Sequence, residues 1–564
     1  MCVIFTLLNY KENHINTDGI QKEFVKGENR GPEHSNLDFS YLKMIMGFHR
    51  LAINGLNPES NQPLVIDNIV LICNGEIYNY KELFKNIGLI EPSTGSDCEI
   101  IIHLYLKYGI EQTLIMLDGE YSFILYDNRI TSADLNFKVF VARDPYGVRP
   151  LYQVRPTTPK KSSLRCFASE LKCIEKFYNE DDSNLEVLQF KPGTYSVFNL
   201  SNRMNSVWSP IKENIPYIIP SFSHSYQTTT TEEITNMFQC KISSYLNSAV
   251  IKRCSTTERP IACLLSGGLD SSLVAALVND FHNRHELPNK LETYSIGLYG
   301  SEDLKYAKIV ADYLGTKHTE IIVTELEMFE AIPDVIYAIE SYDTTSVRAS
   351  IGNYLLGKYI SKNSEAKVIF NGDGADELFG GYLYMNKCPN DVEFDKETRR
   401  LLKDIHAFDV LRSDKCISSH GLEPRTAFLD RSLVDFVLSI PPYLRNHTNQ
   451  KQCEKFILRN SFVYGKNFAN YQDKPLLPDS ILWRKKEAFS DGVSSQGRSL
   501  YKILQEMISN QNIDANIETE KAYYKQIFES KFPNCANIVP YYWMPKYTDA
   551  TDPSARTLAF YSEL

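Results

Sequence analysis

Residues 261–278 read IACLLSGGLDSSLVAALV, an apolar segment, a loop rich in glycine and serine, and a second apolar segment. The pattern predicts a buried strand, a tight loop at residues 266–272 and a helix. Glycines let the backbone approach an anion, and the N-terminus of the helix supplies free N–H groups and the positive end of its dipole. An N-capped strand-to-helix turn also favours Ser and Asp, but the five specified positions together favour a phosphate-binding loop.

Asp270 in this loop can hold a magnesium ion against phosphates, because Mg²⁺ prefers oxygen ligands. No Lys follows the glycines, so this is not a Walker loop; it resembles the loop of ATP pyrophosphatases. A second apolar strand ends in NGDGADE at residues 371–377, where three carboxylates are bracketed by glycines. Ligands bind at the carboxyl ends of strands in open α/β sheets. This segment therefore predicts a second part of the same site, with a solvated acidic turn as the alternative.

The chain has 564 residues, which predicts roughly two to four domains at about 150 residues each. Short β-type runs separated by turn residues fill the first two hundred positions. Later residues alternate between strand and helix patterns, which is typical of a parallel α/β sheet. A polar, Thr-rich stretch lies between the two parts. We predict a first domain at 2–205, a linker at 206–235 and a second domain at 236–564.

Charge and cysteine content exclude several classes of function. The net charge of -10 argues against nucleic-acid and anionic membrane partners, which need clustered Lys and Arg. No stretch approaches the ~20 apolar residues of a spanning helix, and the start has no basic region of a signal peptide. The 12 cysteines are scattered without C-x-x-C spacing, which indicates neither a zinc site nor a disulfide framework. We therefore predict a cytoplasmic protein.

Several polar positions in the first domain have ordinary structural readings when each is taken alone. Asn74-Gly75 is a strong hairpin signal, and Asp97 precedes a helix at capping-box spacing. Arg50 lies in a strand-like run, where a lone Arg is usually structural. Cys2 could start a strand, or could become a nucleophile with a free α-amine if the initiator residue is removed.

Together these residues form part of a wider resemblance. In order along the chain, Cys2 is followed by RLAI, NGEIYNY, GSDCEII, RDPYGVRPLY, SGGLDSS, YDTTSVRAS, LEPRTAFLD and LWRKKEAFSDG. This series resembles the glutamine-hydrolysing asparagine synthetases over nearly the whole chain. The resemblance implies an N-terminal-nucleophile glutaminase domain with four αββα layers, joined to an ATP-pyrophosphatase synthetase domain built on a parallel α/β sheet.

In the glutaminase domain, the resemblance implies that Cys2 attacks the side-chain amide of glutamine and that its own α-amine is the base. This role requires removal of Met1. About a tenth to a fifth of an α-amine is neutral at pH 7, so such a base is available. The side chain of Asn74 and the N–H of Gly75 would form the oxyanion hole. The implied glutamine-binding residues are Arg50 for the α-carboxylate, Asp97 for the α-ammonium, and Leu51, Ala52, Ile53, Asn54, Asn74, Gly75 and Glu76.

In the synthetase domain, the resemblance implies ATP-dependent formation of β-aspartyl-AMP from aspartate. Ammonia from glutamine, arriving by an internal passage, then displaces AMP and gives asparagine, with glutamate and pyrophosphate as further products. The implied ATP-binding residues are Leu265, Ser266, Gly267, Gly268, Asp270, Ser271, Ser272, Ile296, Asn371 and Gly372. The other implied residues are Thr345, Ser346 and Arg348 for aspartate, Asp270 and Asp376 for Mg²⁺, and Lys486 and Asp373 for catalysis.

Several positions depart from the family pattern. The family usually reads Ser-Gly-Glu-Gly where this chain has Asn-Gly-Asp-Gly at residues 371–374. Asp373 is therefore about 1.5 Å shorter than the usual Glu, and a misplacement of about that size can slow a reaction on the order of 100-fold. Either the backbone moves inward to compensate, or the synthetase step is slow. Val3 and Glu33 are milder departures, to which the sequence attaches no consequence.

Two other functions stay open at this point. The substrate could be a different carboxylate, since β-lactam synthetases share the architecture, although they lack a working glutaminase cysteine. The chain could also be a non-catalytic relative, but Cys2, Asp270 and Lys486 weigh against this. The resemblance also admits a homodimer, because members of the family are often dimeric.

Overall fold

The computed structural model describes the chain except residues 130–135, 159–163, 179–183, 202–205, 220, 223–231, 449–451, 496, 511–518 and 562–564 and the side chain of Glu12. The strands of the first part are β1 (Val3–Leu8), β2 (His34–Asp38), β3 (Met44–Arg50), β4 (Leu64–Ile66), β5 (Ile69–Ile77), β6 (Gly119–Asp127), β7 (Asn136–Arg143), β8 (Tyr152–Pro156), β9 (Arg165–Ala168), β10 (Leu185–Gln189), β11 (Thr194–Ser201) and β12 (Ser209–Pro216). Its helices are α1 (Thr17–Val25), α2 (Tyr80–Ile87), α3 (Ile100–Tyr108) and α4 (Ile110–Met116).

These strands form two antiparallel sheets that pack face to face. Among the described strands, one sheet has the order β10-β8-β9-β1-β3-β2 and the other has the order β12-β11-β7-β6-β5-β4. Alternate side chains of a strand point to opposite faces, and β1 illustrates the consequence. Ile4 and Leu8 enter the core between the sheets, whereas Phe5 and Leu7 enter the core on the outer face.

Helices cover the outer face of each sheet. Leu83 of α2, Ile101 of α3 and Leu114 of α4 pack on the β5–β6 sheet, and Phe24 of α1 packs on the β1 sheet. The resulting αββα arrangement confirms the fold expected of the first part.

The predicted linker is only partly described. Ser209–Pro216, near its beginning, forms β12 and pairs with β11. Residues 220 and 223–231, which contain most of the Thr-rich stretch, lie outside the described residues. The chain resumes as a long helix at Glu232.

The second part is built on a five-stranded parallel sheet, as expected, with the order β15-β14-β13-β16-β17 among the described strands. The strands are β13 (Ile261–Leu264), β14 (Glu292–Leu298), β15 (Lys317–Val323), β16 (Val368–Asn371) and β17 (Glu423–Thr426). The helices are α5 (Glu232–Ser255), α6 (Leu269–Arg284), α7 (Glu302–Leu314), α8 (Glu325–Glu330), α9 (Ile332–Ile339), α10 (Thr344–Asn363), α11 (Ala375–Phe379), α12 (Asp391–Asp404), α13 (Asp409–Ser418), α14 (Arg431–Ser439), α15 (Pro442–Arg445), α16 (Phe456–Ser461), α17 (Asp479–Leu482), α18 (Phe489–Gly492), α19 (Leu500–Asn510) and α20 (Glu520–Lys531).

Helix α13 connects the two parts at their interface. Its Asp414 pairs with Arg30 at 2.7 Å and with Arg149 at 3.1 Å, and both arginines belong to the first part. On the same helix, Arg412 lies 3.2 Å from Asp373 of the second part. One helix of ten residues therefore contacts two arginines of the first part and the predicted catalytic residue Asp373 of the second.

Candidate active sites

Cys2 precedes β1 and lies against β5 and the segment that follows β3. Its backbone nitrogen donates to Oδ1 of Asn74 at 3.2 Å, and its Sγ lies 3.7 Å from the carbonyl oxygen of Leu51. Nε of Arg30 donates to the carbonyl oxygen of Cys2 at 2.9 Å. These contacts hold the thiol beside the predicted oxyanion donor.

Asn74 and Gly75 lie within β5, where they pair with Ser122 and Tyr121 of β6. The structure therefore excludes the hairpin reading of Asn-Gly. A Cβ on Gly75 would meet the carbonyl oxygen of Glu120 at 2.2 Å, so a close approach between strands requires glycine here.

Arg50 ends β3 and fixes the loop that follows it. Its guanidinium donates to the carbonyl oxygen of Asn57 at 3.1 Å, to Oδ1 of Asn61 at 2.6 Å and to the carbonyl oxygen of Gly55. Burial lowers the pKa of Arg50. Among the described residues no carboxylate lies within ion-pair distance of this guanidinium, so its charge is available to a substrate carboxylate.

Two buried carboxyl groups flank this loop. Oδ2 of Asp97 accepts from the N–H of Ile77 at 2.6 Å, and burial raises the pKa of Asp97 to about 6. Glu76 accepts from Nδ2 of Asn54 and lies 3.6 Å from Arg425. Burial also raises the pKa of Glu76.

The helix start at Asp97 differs from the expected capping box. Ser96 accepts from the N–H of Cys98 at 3.3 Å, whereas Glu99 binds Ser93 and Thr94 instead of returning to Ser96. The capping contact at this helix start is therefore made by Ser96 and not by Asp97.

Met1 is buried beside Cys2. Its ammonium group lies 3.9 Å from Glu423, and burial lowers the pKa of this group. While Met1 is attached, the nitrogen of Cys2 is a peptide nitrogen. Burial raises the pKa of the Cys2 thiol, so the thiol needs a base to ionise it.

The loop predicted to bind phosphate joins β13 to α6, so the expected order of strand, loop and helix is confirmed. Gly267 has φ +72, and a Cβ there would meet the nitrogen of Ala307 at 2.4 Å, so only glycine fits. The hydroxyl groups of Ser266 and Ser271 lie 3.0 Å apart. A Cβ on Gly372 would lie 2.7 Å from the nitrogen of Ser271, which brings the second predicted loop directly against the first.

Two carboxylates and two lysines meet beside this loop. Nζ of Lys455 lies 2.5 Å from Asp270 and 2.6 Å from Asp376, and Nζ of Lys486 lies 2.6 Å from Asp376. Burial alone would raise the pKa of Asp376, but the two lysines hold it well below its ordinary value. Burial alone would lower the pKa of Lys486, but Asp376 and Asp270 raise it. The cluster is thus an arrangement of fixed charges that suits polyphosphate.

Asp373 follows Asn371 and Gly372 in the second predicted loop. Its N–H donates to Oδ1 of Asn371 at 3.2 Å, and its Oδ1 accepts from Arg412 at 3.2 Å. Burial raises the pKa of Asp373 against the opposing effect of Arg412. A buried carboxylate with a raised pKa is suited to accept a proton.

Most of the predicted synthetase residues line one cavity. These are Leu265, Ser266, Gly268, Asp270, Ser271, Ile296, Thr345, Asn371, Gly372, Asp373, Asp376 and Lys486. Four others do not line it, namely Gly267, Ser272, Ser346 and Arg348.

Comparisons with known proteins agree with this geometry. A profile of the asparagine synthase family matches residues 241–392 and 386–548, and a glutamine amidotransferase domain profile matches residues 1–225. Glutamine-hydrolysing asparagine synthetases of Rattus norvegicus, Cricetulus griseus and Homo sapiens are 39%, 40% and 38% identical to this chain, over 95% of each chain. The chain belongs to the glutamine-hydrolysing asparagine synthetase family.

Other comparisons add little to this assignment. NMN synthetase of Francisella tularensis is similar over 55% of this chain and 98% of its own, with 13% identity and a TM-score of 0.23, a likeness too weak to carry an argument. In the described part of the chain, no helix has the length and apolar character needed to cross a membrane.

The residues expected to hold magnesium in an asparagine synthetase fit that ion. Asp270 and Asp376 supply carboxylate oxygens, which Mg²⁺ combines with substrate phosphates and water. Oδ1 of Asp270 is buried and makes no hydrogen bond to any residue that the structure describes. An oxygen in this state is suited to a cation that arrives with the nucleotide.

Of the three positions implied for aspartate, only Thr345 lines the cavity. Ser346 donates to Asp343 at 2.8 Å at the start of α10. Arg348 is buried between Glu520 and Asp552, at 2.5 Å and 2.7 Å. Both side chains are thus engaged in holding α10 and the C-terminal segment in place.

Three residues of the two sites were not found by sequence reasoning. Lys455 contacts Asp270, and Arg412 contacts Asp373. Ser169 contacts Asn74. Each lies far along the chain from its partner and outside any recognisable motif. Arg412 has a weak signal, since it follows Asp409 by one helical turn on α13.

Proposed function

We propose that the chain makes asparagine from aspartate, with ATP as the activating substrate and glutamine as the nitrogen donor. Family membership supports the overall reaction. One observation supports the proposal: Cys2 contacts Asn74 in one half of the chain, whereas Asp270 and Asp376 meet at Lys455 in the other half.

In the glutaminase half, the mature α-amine of Cys2 takes the thiol proton, and the sulfur attacks the glutamine amide carbon. The side chain of Asn74 and the N–H of Gly75 then stabilise the oxyanion, at about 3 kcal/mol per donor. Arg50 binds the α-carboxylate of glutamine, and Asp97 binds its α-ammonium. Collapse of the intermediate releases ammonia and leaves a thioester, which water hydrolyses to glutamate.

In the synthetase half, a β-carboxylate oxygen of aspartate bonds to the α-phosphorus of ATP as pyrophosphate leaves. Asp270 and Asp376 would hold Mg²⁺, which would supply charge neutralisation for the phosphates. Lys455 and Lys486 bind the departing pyrophosphate. Ammonia then attacks the acyl carbon, AMP leaves, and Asp373 accepts the proton that the nitrogen loses.

Helix α13 supports a direct route for ammonia between the sites. Its Asp414 contacts Arg30, which binds the carbonyl oxygen of Cys2, and its Arg412 contacts Asp373. The two ends of the proposed reaction therefore share one structural element, along which the internal passage would run.

The domain limits, location and assembly belong to the same proposal. We place the glutaminase domain at 2–205, the linker at 206–235 and the synthetase domain at 236–564.

Among the described residues every cysteine is free, which is typical of a reducing compartment such as the cytoplasm. The homodimer rests on family resemblance alone.

A product assay tests the proposal. Purified protein is supplied with aspartate, ATP and Mg²⁺, and with either glutamine or ammonium chloride. With either nitrogen source, we expect asparagine, AMP and pyrophosphate to form in amounts equal to one another. Glutamate should form only when glutamine is supplied. Pyrophosphate release with another carboxylate but not with aspartate would assign a different substrate. Absence of products under every condition would favour the non-catalytic reading.

A further inference from the structure

A short segment of the synthetase half, Thr256–Arg259, lies along the loop that follows Arg50. This segment leaves the long helix α5 and leads into β13. Its contacts fall on four successive residues of the loop. Two groups of the segment donate to the loop: Arg259 Nε to the carbonyl oxygen of Ala52 at 2.9 Å, and the N–H of Glu258 to the carbonyl oxygen of Ile53 at 3.0 Å. Two groups of the loop donate in return: Asn54 Nδ2 to the carbonyl oxygen of Thr256 at 3.3 Å, and the N–H of Gly55 to Oε1 of Glu258 at 2.7 Å.

Glu33, a residue of the glutaminase half, binds both the loop and the segment from the synthetase half. Its Oε2 accepts from the N–H of Ala52 at 2.7 Å, and its Oε1 lies 2.8 Å from Nη2 of Arg259. Both backbone polar groups of Ala52 are therefore bound, one by Glu33 and the other by Arg259. The departure at position 33 thus has a structural role: its carboxylate joins the loop to the synthetase half.

The conformation of this loop sets the position of residues that are proposed to bind glutamine. Gly55 has φ +60, and a Cβ there would meet the carbonyl carbon of Gly95 at 2.7 Å. Arg50 donates to the carbonyl oxygens of Asn54 and Gly55. A displacement of the loop would therefore move the guanidinium that is proposed to bind the substrate carboxylate.

The loop also contacts Glu76 and Cys2, two further residues of the proposed glutamine pocket. Nδ2 of Asn54 donates to Glu76, the neighbour of Gly75 in β5. The carbonyl oxygen of Leu51 lies 3.7 Å from Sγ of Cys2. Polar backbone groups of a buried loop need partners, and here residues outside the glutaminase half supply many of them.

We propose that Glu258 and Arg259, together with Glu33, are positioning residues for glutamine. The synthetase half supplies the outer support of the glutamine-binding loop, so the pocket has its full affinity only in the complete chain. This inference rests on the proposed glutaminase function and adds residues from the other half of the molecule to it.

The test compares Glu258→Ala, Glu258→Gln and Arg259→Ala in the full-length protein. Loss of a hydrogen bond to the loop should raise the KM for glutamine about fivefold, the range expected for one net hydrogen bond, with kcat changed by less than about twofold. Glu258→Gln keeps an oxygen acceptor for Gly55 and should restore the KM. Synthesis from ammonium chloride should stay at the wild-type rate in all three variants.

Arg431→Ala is the matched control. Arg431 also belongs to the synthetase half and donates to the glutaminase half, at the carbonyl oxygen of Ile115, but it does not contact the loop. An unchanged KM in Glu258→Ala and Arg259→Ala would overturn the proposal. An equal rise in Arg431→Ala would overturn it as well, because the effect would then reflect docking of the halves in general.

A binding measurement separates this inference from the proposed function. Calorimetric titration of glutamine onto each variant, made in a Cys2→Ala background, reports affinity without turnover. If the Cys2→Ala protein binds glutamine but the wild type forms no glutamate, the proposed function fails, while weaker binding after Glu258→Ala in that background still supports the positioning role. Equal affinity with and without Glu258→Ala overturns the positioning role even when the enzyme is fully active.

Discussion

The backbone nitrogen of Cys2 and the side-chain oxygen of Asn74 are hydrogen bonded at 3.2 Å. The atom that would become the catalytic amine is thus held against the residue that would stabilise the oxyanion. The same relationship makes the state of Met1 decisive, because this nitrogen can accept a proton only after the peptide bond to Met1 is cleaved.

Protein that is active with glutamine should lack Met1. Intact-mass measurement of such a preparation should give the chain mass less one methionine. Material in which Met1 is retained, produced under inhibition of methionine aminopeptidase, should still make asparagine from ammonium chloride but not from glutamine. Full glutamine-dependent activity in protein that retains Met1 would disprove the α-amine base.

Cys2→Ala should separate the two half-reactions. Without the thiol, glutamine-dependent asparagine synthesis should fall to background, whereas synthesis from ammonium chloride should proceed at about the wild-type rate because the synthetase cavity is untouched. Asparagine and pyrophosphate are measured with each nitrogen source. Loss of both activities in a folded variant would contradict the existence of two separate sites.

Ser169→Ala should lower the kcat of glutamine hydrolysis about tenfold and leave the KM for glutamine unchanged. Oγ of Ser169 accepts from Nδ2 of Asn74 at 3.2 Å and from the N–H of Ile4 at 3.1 Å, so it orients the amide without reaching the substrate. The loss should be smaller than the roughly 100-fold expected for removing an oxyanion donor altogether.

Ser122→Ala provides the control for this prediction. Ser122 is equally buried and lies opposite Asn74 in the neighbouring strand, but it bonds to the carbonyl oxygen of Pro150. Its variant should keep the wild-type kcat. Equal losses in the two variants would assign Ser169 a purely structural role.

The sequence predicted the elements whose local pattern is enough to define them. The strand, glycine loop and helix of residues 261–278 are such a case, because periodicity and glycine placement act within a few residues. Asn74-Gly75 was ambiguous, since the same dipeptide suits a hairpin and a close strand contact, and only the pairing with β6 decided between them.

Partners that meet through tertiary packing could not be predicted in this way. Lys455 and Asp270 are 185 positions apart, and Asn74 and Ser169 are 95 apart. A lone Lys or Ser has no local signal for such a contact. Arg348 shows a different limitation. Its motif predicted aspartate binding, but in the structure its guanidinium pairs with two carboxylates from distant C-terminal segments.

Removal of divalent cations should stop the synthetase half alone. A chelator should abolish pyrophosphate release and asparagine formation, because the phosphates then lose the cation that Asp270 and Asp376 are proposed to hold. Glutamine hydrolysis, measured as glutamate, should persist, and added Mg²⁺ should restore synthesis. Asp270→Asn should raise the Mg²⁺ concentration needed for half-maximal activity. Asparagine formation that is insensitive to the chelator would disprove this metal role.

Glutamine affinity should fall as the pH drops through about 6. Asp97 must be ionised to bind the α-ammonium of glutamine, and burial raises its pKa from 3.8 to about 6. The carboxylate is therefore charged above that pH and neutral below it, whereas an ordinary carboxyl group would remain charged down to about pH 4. The dissociation constant should rise by up to about tenfold for each pH unit below 6, the limit for one ionisation.

Calorimetric titration with the Cys2→Ala variant from pH 5 to 8 measures this effect without hydrolysis of the glutamine, because the variant lacks the nucleophilic thiol. Asp97→Asn in the same background supplies the reference, because an amide removes the titrating charge: its affinity should be low and nearly independent of pH over this range. A pH-independent affinity in the Cys2→Ala variant would show that Asp97 is not the group that binds the ammonium. A mid-point near pH 4 would show instead that substrate binds a carboxylate whose pKa is not raised.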